Sequence, residues 1–302
     1  MTRGPQKPTM TIPPSTPGTL YLVATPVGNL EDMTLRGLRL LREADVIACE
    51  DTRQTRKLLN HFEIQRPTIS YHEHNERERT AELLPRLQAG ECVALVSDAG
   101  VPTLSDPGLV LVQAAIAAGV PVVPVPGASA IVLALTASGL AVESFCFRGF
   151  LPPRTSERRR ALERVARQTD TLVWFESPHR LCASLADMAA VLGPDRPVVV
   201  ARELTKLHEE FVRGTVASAQ AHFALQEPRG EFTLVVGGWA EGQAPAATTE
   251  QDLVARMTAL LAQPGMDERS ALKLVAREWS IAKSEVYRRW QACAAGKAGR
   301  SS

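Results

Sequence analysis

The 20 glycines of this chain never stand two positions apart. The GxGxxG turn of dinucleotide-binding folds is therefore absent, and the GxxxxGK(S/T) phosphate loop does not occur either. Cysteine is scarce and scattered. Cys49, Cys92, Cys146, Cys182 and Cys293 form no CxxC pair and no local zinc-ligand set, so no metal site is expected. An odd, dispersed set fits buried thiols in a reducing compartment. Neither sign of charge dominates: 34 Lys and Arg against 33 Asp and Glu leave +1, which excludes a globally basic nucleic-acid coat and an acidic tail. Long apolar runs are missing too. Residues 107–142 carry no charge over 36 positions, but Pro107, Pro121, Pro124, Pro126, Gly108, Gly119, Gly127 and Gly139 interrupt them. The pieces between fall short of the ~18 apolar residues a membrane span needs, so no membrane partner is expected. The first 17 residues hold five prolines and no apolar core. They read as a disordered leader rather than a signal peptide.

What remains is a soluble composition, 45% hydrophobic and 22% charged, with an alternating pattern. Apolar runs at 19–24 (TLYLVA), 44–49 (ADVIAC), 92–97 (CVALVS) and 120–125 predict strands. Helical spacing at about 35–42, 76–89 and 109–118 fills the gaps, which predicts a parallel α/β sheet. The second half repeats the theme, with strands at 171–175, 197–201 and 232–237 and helices at about 156–167, 180–192 and 216–224. Residues 139–153 read as the joint between halves, and 239–249 as a Gly/Ala/Pro-rich linker. A helical tail follows at 251–295, with Leu272, Val275, Ala276 and Trp279 at helical spacing. The plan is therefore a leader (1–17), an N-terminal α/β domain (18–138), a C-terminal α/β domain (139–240) and a small helical domain (250–296).

An α/β protein binds ligands at the carboxyl ends of its strands, so the loops there carry the chemistry. Pro26, Val27 and Gly28 follow the first strand, with Asp32 or Thr34 placed to cap the next helix. Glu50, Asp51 and Arg53 follow the second, as a base or ligand anchor, or as an N-cap by Asp51 or Thr52 with a solvated arginine. The third loop, SDAGVPTLSDPG, is the richest. Asp98 stands where a carboxylate meets a cation or a ribose hydroxyl, and Asp106-Pro107 reads as an N-cap with Pro at N1. Small residues at Ala128 and Ser129 admit a flat ligand. In the second half, His179 and Arg180 follow strand 171–175, and the alternating charges of 201–210 suit a solvated helix start.

Charge is local rather than global. Arginines 148, 154, 158, 159, 160, 164 and 167 stand against Glu157 and Glu163, a surplus of +5, and residues 250–300 add +3. Arginine pairs well with phosphate, so Arg148, Arg154, Arg158, Arg159 and Arg160 are candidate RNA contacts; the competing reading is a solvated helix face.

With these loops in hand, the ordered motifs TPVGNLEDMTLR, CEDTR, SDAGVPTLSDPG, PVPGASA, FRGFLP, FESPHR, ARELTKLHEE and GEFTLVV resemble bacterial 16S rRNA ribose-2′-O cytidine methyltransferases, within the tetrapyrrole-methylase superfamily. The resemblance covers about residues 18–238; Val101 stands where relatives often carry Thr, and the leader is extra. It implies two α/β domains with S-adenosyl-L-methionine in the cleft between them. Carried over, the cofactor contacts are Pro26, Val27, Gly28, Asp98, Ala99, Gly100, Val101, Ser105, Asp106, Ala128 and Ser129 from the first half, and Phe175, Glu176, Leu204, Phe232 and Thr233 from the second. It further implies a cytoplasmic homodimer acting on the decoding-centre (P-site) cytidine of 16S rRNA in the small ribosomal subunit. A ribose hydroxyl is a weak acid and its methylation calls for a base or a nearby cation. The candidates are Asp51 or Glu50 as base, with Arg53, Arg202, Lys206 or His179 assisting. Two other readings compete: a small-molecule methylase of tetrapyrrole type, which needs no arginine cluster, and an RNA-binding protein without enzymatic activity.

Overall fold

The structure is a computed structural model that describes residues 15–239, 250–263, 266–278 and 283–298. Two five-stranded sheets dominate it. The first takes β1 (Leu20–Val23), β2 (Val46–Cys49), β3 (Thr68–Ser70), β4 (Val93–Val96) and β5 (Val122–Val125) in the order β3-β2-β4-β1-β5, all parallel. Helices α1 (Leu35–Glu43), α2 (Thr52–His61), α3 (Glu76–Gln88) and α4 (Leu109–Ala117) make the crossovers. Each central strand is buried on both faces. Tyr21, Val23, Ile47, Cys49, Ala94 and Val96 enter one core, while Leu20, Val46, Ala48, Val93 and Leu95 enter the other. That is why these strands read as unbroken apolar runs.

Strand β5 leads into α5 (Ala130–Ser138), whose buried Ile131, Ala134 and Leu135 pack on the second sheet beside Val173, Val199 and Val235. The second sheet orders β6 (Phe145–Phe150), β7 (Thr171–Glu176), β8 (Pro197–Arg202), β9 (Glu210–Thr215) and β10 (Phe232–Val236) as β6-β7-β10-β8-β9. The uniform parallel theme expected for this half fails here. Only β6 and β7 run parallel; β10 returns antiparallel between β7 and β8, and β8 and β9 form an antiparallel pair. Its helices are α6 (Thr155–Glu163), α7 (Pro178–Leu192) and α8 (Val216–Leu225), and α9 (Glu250–Leu261), α10 (Glu268–Glu278) and α11 (Lys283–Ala298) make a separate core around Leu253, Met257, Leu272 and Val275. Residues 1–14 of the expected leader, 240–249 of the linker and Trp279 lie outside the described residues.

Three strands escaped the sequence reading. β3 is three residues long and half-buried, and β6 and β9 mix Arg and Gly into their pattern. The expected helix start after residue 201 is instead a tight turn between β8 and β9, with Glu203 and Thr205 at left-handed φ of 51° and 65°. Thr34 caps α1, accepting from the Gly37 N–H at 3.0 Å. Asp106 is not an N-cap: α4 begins at Leu109 behind Gly108, whose φ of 137° only glycine adopts without strain.

Candidate active site

The loops after β1 and β4 are fastened to each other. Thr25 and Gly100 exchange two backbone hydrogen bonds, at 2.8 and 3.0 Å, and the Thr25 hydroxyl donates to the Ser97 carbonyl at 3.1 Å. Gly100 takes φ +79°, a conformation that residues with a Cβ rarely adopt. Thr103 and Ser105 also adopt left-handed φ, 74° and 67°. Such backbone is costly for residues with a Cβ and collects at ligand sites.

Between these loops and the second sheet lies a cavity of about 380 Å³, within the ~300–1,000 Å³ range of small-ligand sites. The first half contributes Val27, the segment Asp98 to Val101, Ser105, Asp106 and Ser129 to its wall. The second half contributes Phe175, Glu176, Leu204, Phe232 and Thr233. All were expected contacts. Of the remaining three, Pro26 lines an adjoining chamber, Ala128 sits behind Gly100, and Gly28 abuts the 204–206 turn. Phe150, Ile131 and Gly230 line the cavity without having been named, as do Leu104, Ser177 and Glu231. Phe150 stands within the FRGFLP motif, the one available signal; Ile131 reads as plain helix and gives none.

The lining is mixed in polarity. Phe150 and Phe175, ring centroids 5.7 Å apart, stand with Ile131, Leu204 and Phe232 as an apolar face for a flat ring. The same lining carries the carboxylates of Asp98, Asp106, Glu176 and Glu231. Burial raises Asp106 to a pKa of about 7, and the charges of Glu50 and Asp98 push the same way. Burial likewise lifts Asp98 and Glu50 above the usual carboxylate range. Crowded carboxylates of this kind favour a bound cation, which relieves their repulsion. Glu176 is already engaged: it accepts from the Ser184 hydroxyl at 2.5 Å and the Ser177 N–H at 2.8 Å, and pairs with Arg180. The donor set therefore fits a ligand that joins an aromatic base to a positive centre, which describes S-adenosyl-L-methionine.

The catalytic candidates scatter. Asp51 caps α2 through the Arg53 N–H at 2.8 Å and pairs with the Arg53 guanidinium, which holds its carboxyl at about 2. A carboxylate so acidic is a poor proton acceptor at neutral pH. The Asp51 N–H also donates to Asp98 at 3.1 Å, fixing that carboxylate. Arg53 is largely exposed. Lys206 lines the adjoining chamber, paired to Glu203 at 2.8 Å and Glu231 at 3.0 Å. Arg202 is held by the Arg229 carbonyl at 2.7 Å and by Glu210, and His179 is exposed at the start of α7; neither lines the cavity.

The arginine cluster needs a correction. Arg158 is no RNA contact. It is 3% exposed, bonded to Asp187 of α7 at 2.7 Å and to the Pro153 carbonyl at 3.0 Å. Position 158 shares the inner face of α6 with Leu162, and a buried acid there compensates its charge. Arg154, Arg159 and Arg160 are exposed, and Arg148 bonds Gln168 at 3.2 Å.

Comparison with known proteins places these features in context. Residues 19–220 match the model of the tetrapyrrole (corrin/porphyrin) methylases. The chain is 47% identical to ribosomal RNA small subunit methyltransferase I of Synechocystis sp. over 270 residues, covering 89% of this chain and 96% of that protein. It is 50% identical to the protein of the same name from Halalkalibacterium halodurans, covering 89% and 93%. Among solved structures, uroporphyrin-III C-methyltransferase from Thermus thermophilus in complex with S-adenosyl homocysteine has a similar fold, with TM-score 0.52, 24% identity and coverage of 72% and 97%.

Proposed function

We propose, from the premise that this chain belongs to the tetrapyrrole (corrin/porphyrin) methylase family, that it methylates the 2′-hydroxyl of the decoding-centre cytidine of 16S rRNA. The broader activity stands without that detail: the chain is an S-adenosyl-L-methionine-dependent methyltransferase of the rRNA small subunit methyltransferase I type. When bound, the cofactor supplies an electrophilic methyl group carried on a sulfonium. The residues of the chain do the rest. The Phe150, Phe175 and Phe232 face holds a ring, the Asp98 to Val101 turn offers backbone groups, and Asp98 with Asp106 supplies negative charge to a cation. Of the cavity-lining carboxylates, Asp106 is raised to a pKa of about 7 by burial and by the charges of Glu50 and Asp98, so a bound cation is what holds it ionised at neutral pH. Holding both reactants in line contributes much of the acceleration in such a transfer.

The observation that carries this reading is the cavity at the strand ends, lined by aromatic and apolar side chains together with the Asp98 and Asp106 carboxylates. RNA as substrate is supported by the exposed Arg154, Arg159 and Arg160 beside it in sequence. A homodimer is supported by apolar surface on the uncharged segment: Leu109 and Ile116 on α4 are 57% and 63% exposed, and Val132 on α5 is 52% exposed. No helix among the described residues is long and apolar enough to cross a membrane, and a ribosomal substrate puts the enzyme in the cytoplasm. The test is transfer of labelled methyl from S-adenosyl-L-methionine to undermethylated small subunits, followed by alkaline mapping. A 2′-O-methyl group blocks cleavage at its own linkage. One resistant cytidine at the decoding centre is the expected result; a resistant site elsewhere, or none, overturns the proposal.

A further inference from the structure

A second chamber of about 480 Å³ opens beside the cofactor cavity and shares Val27, Asp98, Ala99 and Glu231 with it. Nothing in the activity described so far uses it. Its apolar lining comes from two segments: Pro26, Val27 and Leu30 from the loop after β1, and Leu58 from α2. Gln54 and Lys57, on the exposed face of α2, stand at its edge. The two cations of the lining differ. Lys206 is neutralised by Glu203 and Glu231. Lys57 has no carboxylate partner among the described residues and donates only to the Gln54 amide oxygen, at 2.9 Å. That bond leaves the Gln54 amide N–H groups available to another acceptor.

We propose that this chamber seats the acceptor nucleotide, taken out of the RNA strand, with its base against the Pro26–Leu30 and Leu58 lining, its base edge at Gln54 and its phosphate at Lys57. The inference rests on the RNA reading of the preceding subsection and deepens it. Sequence-specific recognition of single-stranded RNA splays a base out of the stack, holds it against aromatic or apolar side chains and reads its edge by hydrogen bonds. Apolar side chains from two segments, one primary amide and one unpaired ammonium match that chemistry. A tetrapyrrole bearing several carboxylates is a worse match, because the lining offers a single uncommitted cation. The wall shared by the two chambers is where ribose and methyl donor meet, so Asp98 serves both ligands.

The experiment is steady-state methyl transfer to undermethylated small subunits by the wild-type chain and by Lys57→Ala, Gln54→Ala and Gln54→Trp, with cofactor affinity followed separately by calorimetry. Both positions are exposed, so the variants fold. Loss of the phosphate contact in Lys57→Ala raises KM for subunits about tenfold and makes the log KM against log salt slope shallower by about 1. Gln54→Trp narrows the chamber and lowers kcat/KM by about 100-fold, and Gln54→Ala lowers it by about tenfold. Cofactor Kd stays within about twofold in all three. Wild-type activity with unchanged KM, kcat/KM and salt slope in the variants overturns the inference alone. Weakened cofactor binding with unchanged KM reassigns the chamber to the cofactor and also overturns it. A wild-type chain that transfers nothing to subunits overturns the RNA reading, and the nucleotide chamber falls with it.

Discussion

Arg158 and Asp187 meet at 2.7 Å with both side chains 4% exposed, tying α6 to α7 beneath the second sheet. The neighbouring Arg159 reaches the other oxygen of the same carboxylate at 2.6 Å from a side chain that is 52% exposed. One acid thus serves a buried and a solvated arginine. Asp187→Ala strands the Arg158 charge in the core and is expected to destabilise the chain by about 3–5 kcal/mol. Arg159→Ala, cut from a screened partner, costs less than about 1 kcal/mol. Urea unfolding of the two variants separates them; equal losses would mean that burial does not govern this network.

Asp106 links cofactor binding to pH. Its carboxyl is raised from 3.8 to about 7, so the free protein carries a proton there that an ordinary carboxylate has lost. A bound cation favours the ionised form and expels that proton. Affinity for S-adenosyl-L-methionine therefore tightens as pH rises from about 5 to about 7 and levels off above. For stability the sign is opposite. A raised carboxyl stabilises the folded chain most below its unfolded value of 3.8, and that contribution is lost as pH rises through about 7. Asp106→Asn flattens both profiles. Calorimetry in buffers of different ionisation enthalpy measures the proton release directly, and a pH-independent Kd in the wild type would sink the assignment.

Asp98 is held by the Asp51 N–H and borders both chambers. In the proposed site Asp98 is a charged partner of the cofactor, so Asp98→Ala is expected to weaken binding by about 1.5–3 kcal/mol, at least tenfold in Kd. Titration of cofactor into Asp98→Ala reads this out, and wild-type affinity would remove the residue from the site.

Gly28 is where the two halves touch. A Cβ there would overlap Lys206 Cγ and stand 2.8 Å from the Leu204 carbonyl oxygen. Gly28→Ala must push the 204–206 turn outward, at a cost of about 1–3 kcal/mol. Because Leu204 lines the cavity, cofactor affinity falls with it. Thermal unfolding with and without cofactor tests the point; a stable variant with intact binding would show that the turn yields freely.

Arg154 and Arg160 are exposed on α6 and its N-terminal edge. If they bind phosphate, Arg154→Ala with Arg160→Ala makes the salt dependence of RNA affinity shallower by about 2 in log–log slope. Filter binding across a salt series measures it. The same slope in the double variant would assign both to a solvated face.

The loops of the candidate site stood out in the sequence by their residue types, while the individual contacts, Leu204, Phe232 and Thr233 among them, came from the family resemblance. The segment SDAGVPTLSDPG sets polar and Gly/Pro residues directly behind a wholly apolar strand, and charge next to a buried strand end demands a partner. The same reasoning failed on Arg158. Its type predicts solvent, and only the arrival of Asp187, 29 residues later, makes its burial affordable. It failed again on β9, where Glu210, Arg213 and Gly214 hide a strand that lies at the edge of its sheet, open to water on one side.

The sequence by itself determined the doubly buried strands of the first sheet, the loops that follow them, and the absence of phosphate-binding glycine turns, while its expectation of buried thiols fails at Cys182, which is exposed. What it determined follows from local patterns, since periodicity and turn chemistry act over a few residues. Tertiary structure alone decided the antiparallel return of β10, the placement of α5 on the opposite sheet, the raised pKa of Asp106 and the chamber beside Lys57. Each depends on what distant segments bring within a few ångströms, and burial and charge act through space rather than along the chain.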